Sequence, residues 1–222
     1  MPTHVRRLCQ RAGNTKIEIV NAGQGIMSAE KEARIGKGQL PPGLAGLVAQ
    51  AGEPAKARPV DQWNPPYCGE IDMRIAADGT WLYRGSPISR EALVRLFASI
   101  LRREPDGRHV LVTPVEKVGI DVEDAPFLAV EVATAGAGAD RVLSFRTNVG
   151  DIVAAGPDHP LRFDIERGTG GLKPYLAVRG GLEALATRAL AHELVAMADT
   201  KDGEHGLWSG GLFFPFREAR VD

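Results

Sequence analysis

The sequence has little cysteine and few aromatic residues, and it has no long apolar run. Two cysteines in 222 residues, Cys9 and Cys68 with no CxxC pair, exclude a zinc ribbon and a redox dithiol and fit a reducing cytoplasm. No segment approaches the roughly 20 apolar residues that a membrane-spanning helix needs. The arginines near the N-terminus are not followed by the apolar stretch of a secretory signal. We therefore expect a cytoplasmic protein without a membrane span.

The sequence also lacks an excess of either charge. It holds 27 Lys and Arg against 28 Asp and Glu, a formal net charge of −1. A chain this close to neutral is not expected to bind nucleic acid non-specifically. Its length suffices for one medium-sized domain or two small ones, each with a real core.

The motifs of several large enzyme classes are missing. There is no phosphate-binding P-loop and no GxGxxG at the end of a predicted strand. His192-Glu193 begins like the helix of a zinc protease, but Ala196 stands where the second ligand belongs. The run 207–211 lacks the first glycine of a nucleophile elbow. The sequence thus predicts no cofactor and no metal, and it gives little support to an enzyme.

Composition divides the chain into three parts. Residues 1–60 are expected to be an N-terminal extension and linker that is largely disordered, with a short helix predicted within 40–52. Residues 61–117 are expected to form an N-terminal domain of hairpin, helix and strand. Residues 118–222 are expected to form the C-terminal domain.

Apolar periodicity predicts the elements of the globular part. Alternation around Asp78-Gly79 predicts a hairpin, and the apolar stripe of residues 89–103 predicts a helix capped by Ser89. Seven strands are expected between residues 108 and 179, followed by a second helix at 182–198. Both halves then contain strand, Gly turn, strand, Arg-Gly and helix, with Arg84-Gly85 echoed by Arg179-Gly180. This order is consistent with a duplication or with coincidence.

Long strings of the globular part resemble a known family. They are WNPPYCGEIDMRI, DGTWLYRGSPISREALVRLF, LVTPVEKVGI, LSFRTNVGD, GPDHPL, VRGGLEAL and WSGG. With these strings the sequence closely resembles the bacterial family catalogued as Domain of Unknown Function 1285. The resemblance implies an α+β fold of two related small domains. The C-terminal one would be an antiparallel β-barrel or sheet capped by a long C-terminal helix, like a pleckstrin-homology domain. It also implies a ligand site between the domains, with a nucleotide-type ligand and a role in signal transduction proposed.

Several residues are candidates for such an anionic ligand. Arg179, before Gly180-Gly181 and the predicted helix, could bind an anion, and so could Arg146, with Thr147 and Asn148 orienting the ligand. Lys117, beside Glu116, lies at the predicted boundary between the first domain and the second. Each pattern is equally compatible with ordinary turn, capping or ion-pair chemistry. We also include Asp72 and Arg74, on the polar face of the first predicted strand.

Three functions remain open at this point. The first is a regulatory protein that binds a small anionic ligand between its domains. The second is an enzyme on a small anionic substrate, using Asp72, Glu116 or Asp151. The third is a protein–protein adaptor that uses the tail LWSGGLFFPF.

Overall fold

The computed structural model describes residues 40–48, 58–166 and 168–217. The predicted extension at residues 1–26 and most of the predicted linker at 53–59 therefore lie outside the described residues. The short helix predicted within 40–52 is confirmed. Helix α1 spans Pro42–Val48, and its Leu44 is fully buried in the core.

The first domain is a six-stranded sheet with one helix. Helix α2 spans Glu91–Ser99, and the strands lie in the order β3-β2-β1-β6-β5-β4. Strands β1 and β6 are parallel, and the remaining neighbours are antiparallel. The strands are β1 (Tyr67–Ile75), β2 (Trp81–Tyr83), β3 (Ser86–Pro87), β4 (Leu101–Arg103), β5 (His109–Val112) and β6 (Lys117–Val122).

The second domain repeats this topology. Its sheet has the order β9-β8-β7-β12-β11-β10, again with the first and last strands parallel at the centre. The strands are β7 (Phe127–Ala135), β8 (Val142–Thr147), β9 (Ile152–Ala154), β10 (Leu161–Ile165), β11 (Leu172–Arg179) and β12 (Leu182–Ala186). Each domain is therefore two three-stranded meanders joined by one central parallel pair. The chain is mostly β, with two related β-rich domains.

The two domains correspond to each other differently from the repeat that the sequence echo suggested. In the sheets, β1–β3 correspond to β7–β9, whereas the Arg-Gly echo matched the first hairpin with β10 and β11. The helices also differ in position, because α2 joins the two meanders of its domain and α3 (Arg188–Ala196) follows the last strand. The predicted boundary after residue 117 falls at the start of β6. Since β6 pairs with β1 and β5, the first sheet continues to Val122.

The predicted helix 182–198 is wrong in its first part. Gly180 and Gly181 both have positive φ, 50° and 75°, which suits a tight hairpin turn. Alternate residues of β12 are then buried, so a period of two outweighs the helical preference of Glu183-Ala184-Leu185. Helix α3 begins only after Thr187, whose side chain accepts a hydrogen bond from the Leu190 N–H at 3.3 Å.

The end of α2 differs from its prediction in the same way. The five apolar residues of the predicted stripe are all buried: Leu93, Leu96, Phe97, Ile100 and Leu101. Ile100, however, follows the helix, and Leu101 begins β4. The predicted cap is also wrong, since Arg90 occupies the N-cap position without a side-chain hydrogen bond. The first hairpin and all seven strands predicted between residues 108 and 179 are confirmed.

The C-terminal domain departs from the predicted antiparallel sheet with a long C-terminal helix. Its sheet is mixed, α3 has nine residues, and a third sheet follows the helix. That sheet is antiparallel, in the order β13 (Asp199–Lys201), β14 (Glu204–Ser209) and β15 (Leu212–Pro215). The likeness to a pleckstrin-homology domain stays a prediction.

Candidate functional site

The connector between the two domains, residues 123–126 between β6 and β7, is bound to each domain by one of its own carboxylates. Glu123 binds the first domain, through the Arg74 guanidinium at 3.0 Å and the Ala77 N–H at 2.8 Å. Asp124 binds the second domain, accepting from the Tyr175 hydroxyl at 2.8 Å and from the Lys173 ammonium. Burial raises the pKa of Tyr175, as does its bond to Asp124, so the hydroxyl remains a protonated donor.

Arg179 links the two domains directly. Its Nη1 lies 2.8 Å from Asp151 Oδ2, and its Nη2 donates to the carbonyl of Ala98, near the C-terminal end of α2, at 2.7 Å. The guanidinium also lies 5.0 Å from the ring of buried Phe127. A carboxylate and a helix C-terminus both attract cations, so this arginine already has the partners that an anionic ligand would replace.

The predicted Thr147 and Asn148 serve the turn after β8. Thr147 is fully buried, and its hydroxyl accepts from the Asp151 N–H at 3.0 Å. Asn148 accepts from the Leu128 N–H at 3.0 Å, and its amide lies against Gly79 of the first domain. We call the boundary formed by the connector, Arg179, the 147–151 turn and the end of α2 the domain seam.

The predicted Lys117 and Glu116 belong to a different contact. Lys117 lies 2.9 Å from Glu104, which also pairs with Arg102 at 2.6 Å. Burial alone would raise the pKa of Glu104, but the hydrogen bonds from Lys117 and Arg102 outweigh it and lower that pKa. Glu116 is nearly buried and accepts from the Leu44 N–H at 3.0 Å, which attaches α1 to the first domain.

The remaining predicted residues lie on exposed strand faces. Arg146 pairs across the strands with Glu131 at 2.6 Å, and both side chains are more than half exposed. Asp72 is exposed on β1. The structure therefore brings Arg74, Thr147, Asn148 and Arg179 to the domain seam and places the other four predicted residues elsewhere. An anionic ligand at the seam stays a prediction.

A second candidate site lies on the outer face of the C-terminal sheet. Trp208 and Phe213 face each other across β14 and β15, with ring centroids 5.2 Å apart and planes tilted by 60°. The Lys201 ammonium lies 4.9 Å from the Trp208 ring and 5.9 Å from the Phe213 ring. These side chains line an open cavity of about 320 Å³, which we call the C-terminal groove. The other lining residues are Asp202, Glu204, Gly211, Leu212, Pro215 and Arg217.

The inner face of this sheet fixes it to the second domain. Ser209 is fully buried, where its hydroxyl donates to the Ala155 carbonyl at 2.7 Å and accepts from the Leu143 N–H at 2.9 Å. Gly206 allows β15 to approach closely, since a Cβ there would lie 2.4 Å from the Phe214 carbonyl oxygen. The groove is therefore built on an anchored sheet.

The charged groups of the groove differ in how they are paired. Arg217 contacts Glu204 at 3.0 Å, with both side chains about half exposed. Within the described residues, the Asp202 side chain has no hydrogen bond or ion pair, and the Lys201 ammonium lies over the two rings without an ion pair. Exposed pairs contribute little stability, so these groups can exchange partners at small cost. The groove can thus offer apolar rings and charges of both signs to a ligand.

The site residues predicted from the sequence did not include Lys201, Asp202, Glu204 or Arg217. The signal for them was Asp202-Gly203, a tight-turn pair between Lys201 and Glu204. Among the described residues no group of three or more His, Cys, Asp or Glu could hold a metal ion. Over the same residues, no helix is long and apolar enough to span a bilayer.

Two β-rich domains of one topology, the second extended by a small sheet, define the class of protein. Family models for the N-terminal and C-terminal domains of Domain of Unknown Function DUF1285 match residues 58–125 and 126–216, respectively. The chain belongs to the DUF1285 family.

One solved structure supports this assignment. The chain is similar to a DUF1285 family protein from Silicibacter pomeroyi, with 53% identity and a TM-score of 0.72 over 77% of this chain and 93% of that one. It is also similar to a DUF1285 family protein from Shewanella baltica, with 30% identity and a TM-score of 0.46 over 58% of this chain and 94% of that one. A comparison with curated proteins found no match.

Proposed function

We propose that this chain is a regulatory adaptor that binds an extended segment of a partner protein in the C-terminal groove. The proposal rests on the groove itself, an open cavity of about 320 Å³ whose lining includes the paired rings of Trp208 and Phe213. Aromatic side chains at a surface supply large contact area at low conformational cost.

The shape of the groove favours a protein segment over an enclosed small molecule. Small-molecule sites usually bury most of their ligand, whereas this cavity lies open on a sheet face. Leu212, which also lines the cavity, is 40% exposed. Peptide recognition commonly uses such aromatic-lined surfaces.

Site-specific photo-crosslinking tests this adaptor function. A photoreactive amino acid would replace Leu212 in the groove or, as the matched control, Ile152, which is 76% exposed on β9. We expect a discrete crosslinked partner from position 212, lost when Trp208→Ala is added, and none from position 152. Equal crosslinking from both positions, or none from position 212, would contradict the proposal.

A second candidate is a small anionic ligand, of the nucleotide type, bound between the domains in signal transduction. Arg179 favours it, because this arginine touches both domains and keeps 36% of its side chain exposed. A thermal-shift series with nucleoside mono-, di- and triphosphates tests it, since binding to the native state raises the melting temperature. A rise lost in Arg179→Ala and kept in Arg146→Ala would favour this candidate, and no rise with any nucleotide would oppose it. Location in the cytoplasm stays a prediction from the low cysteine content.

A further inference from the structure

The side chain that lies over the aromatic pair of the C-terminal groove indicates which kind of ligand group the groove can bind. Lys201 lies over both rings, with its ammonium 4.9 Å from one centroid and 5.9 Å from the other. Ring faces attract cations through their quadrupole within about 6 Å. The Trp208–Phe213 pair is therefore a cation site, and the chain's own lysine fills it.

We propose that the groove recognises a lysine or arginine side chain of the partner segment, with Lys201 as a resident placeholder that the incoming cation displaces. This inference rests on the adaptor function proposed above and adds the chemical class of the partner. Lys201 can leave readily, because it is exposed and has no carboxylate partner among the described residues.

The charge around the rings supports a basic partner. Asp202, next to Lys201 at the β13–β14 turn, has no ion pair within the described part of the chain. An incoming cation would gain this carboxylate as well as the ring faces. Arg217, by contrast, is already paired with Glu204, so an acidic segment would have to break that pair. The unpaired carboxylate and the ring pair thus both complement a positive charge.

Trp208 fluorescence tests the proposal in titrations of the full chain. The probes are an eight-residue peptide of alternating glycine and arginine and two matched peptides with citrulline or glutamate in place of arginine. We expect the arginine peptide to bind and the citrulline peptide, which keeps the shape without the charge, to bind more weakly. Lys201→Ala should strengthen binding by about two- to fivefold, since an exposed cation–π contact of this size no longer competes.

The sign of the Lys201 effect decides between a basic and an acidic partner. If Lys201→Ala weakens binding, or if the glutamate peptide binds instead, the cation site is wrong although the groove still binds peptides. If no peptide gives a change that depends on Trp208, the cation site and the adaptor function are both contradicted.

Asp202→Asn serves as a second variant, because it leaves the ring pair intact. We expect it to weaken binding of the arginine peptide by about two- to fivefold. Unchanged binding in Asp202→Asn would contradict the assigned role of this carboxylate.

Discussion

The domain seam and the C-terminal groove use charged residues in opposite ways. At the seam, Glu123 binds two groups of the first domain and Asp124 binds two groups of the second. Arg179 binds one group of each domain. In the groove, Lys201 and Asp202 have no oppositely charged partner among the described residues. The charges at the domain boundary thus hold the two domains together, whereas the groove, with unpaired charges beside half-buried rings, is the surface that we propose for binding.

The largest expected difference between the two regions concerns their phenylalanines. Phe127 at the seam is fully buried, so Phe127→Ala should lower the free energy of unfolding by about 3–5 kcal/mol. Phe213 in the groove is only half-buried, and Phe213→Ala should cost much less. Urea unfolding of both variants measures the two costs. Similar losses would show that the groove ring is as important to folding as the seam ring.

The response to pH should separate a partly buried carboxylate, Glu104, from one in the groove. The folded pKa of Glu104 is lowered, so its contribution to stability is present above its unfolded pKa, near 4.5, and is lost as pH falls through the folded value. The stability difference between the wild type and Glu104→Gln should therefore shrink below about pH 4.5. Urea unfolding from pH 7 to pH 3 measures this difference, with Glu204→Gln in the groove as the control. A difference that stays constant through that range would be inconsistent with the ion cluster around Glu104.

The smallest effect is expected at Arg146. Its pair with Glu131 is exposed on both sides, so Arg146→Ala should change the free energy of unfolding by less than about 0.5 kcal/mol. Thermal unfolding alongside Arg179→Ala provides the comparison. A loss as large as that of Arg179→Ala would mean that exposed strand pairs stabilise this fold as much as the seam does.

Local sequence patterns predicted the strands better than their arrangement. Alternation gave the strands from β5 to β11 because a half-buried strand shows its period of two within a few residues. The β12 segment was wrongly predicted as helix because Glu183-Ala184-Leu185 has a local helical preference. Only its pairing with β7 and β11 makes it a strand. The parallel pairing of first and last strands is non-local, so no short window could reveal it.

The candidate site was less predictable than the fold. Arg146 and Arg179 look alike in sequence, each at the end of a strand before a turn. Their different roles depend on what faces them, Glu131 on an exposed strand in one instance and the end of α2 in the other. Trp208 lies in the tail LWSGGLFFPF, which the sequence analysis singled out as a possible adaptor surface. The residues that form the groove together with Trp208, however, come from β13 and β15.

If Arg179 holds the two domains together, a double-mutant cycle with Asp151 separates its ion pair within the second domain from its bond to the Ala98 carbonyl of the first domain. Unfolding free energies of Arg179→Ala, Asp151→Ala and the double variant are compared with that of the wild type. We expect Arg179→Ala to cost about 1–2 kcal/mol, because it removes the bonds to Asp151 and to the Ala98 carbonyl. The coupling between the two side chains should be about 0.5–1 kcal/mol, given their partial exposure. Unchanged stability in Arg179→Ala, with no coupling, would contradict the account and would leave this arginine free for an anionic ligand.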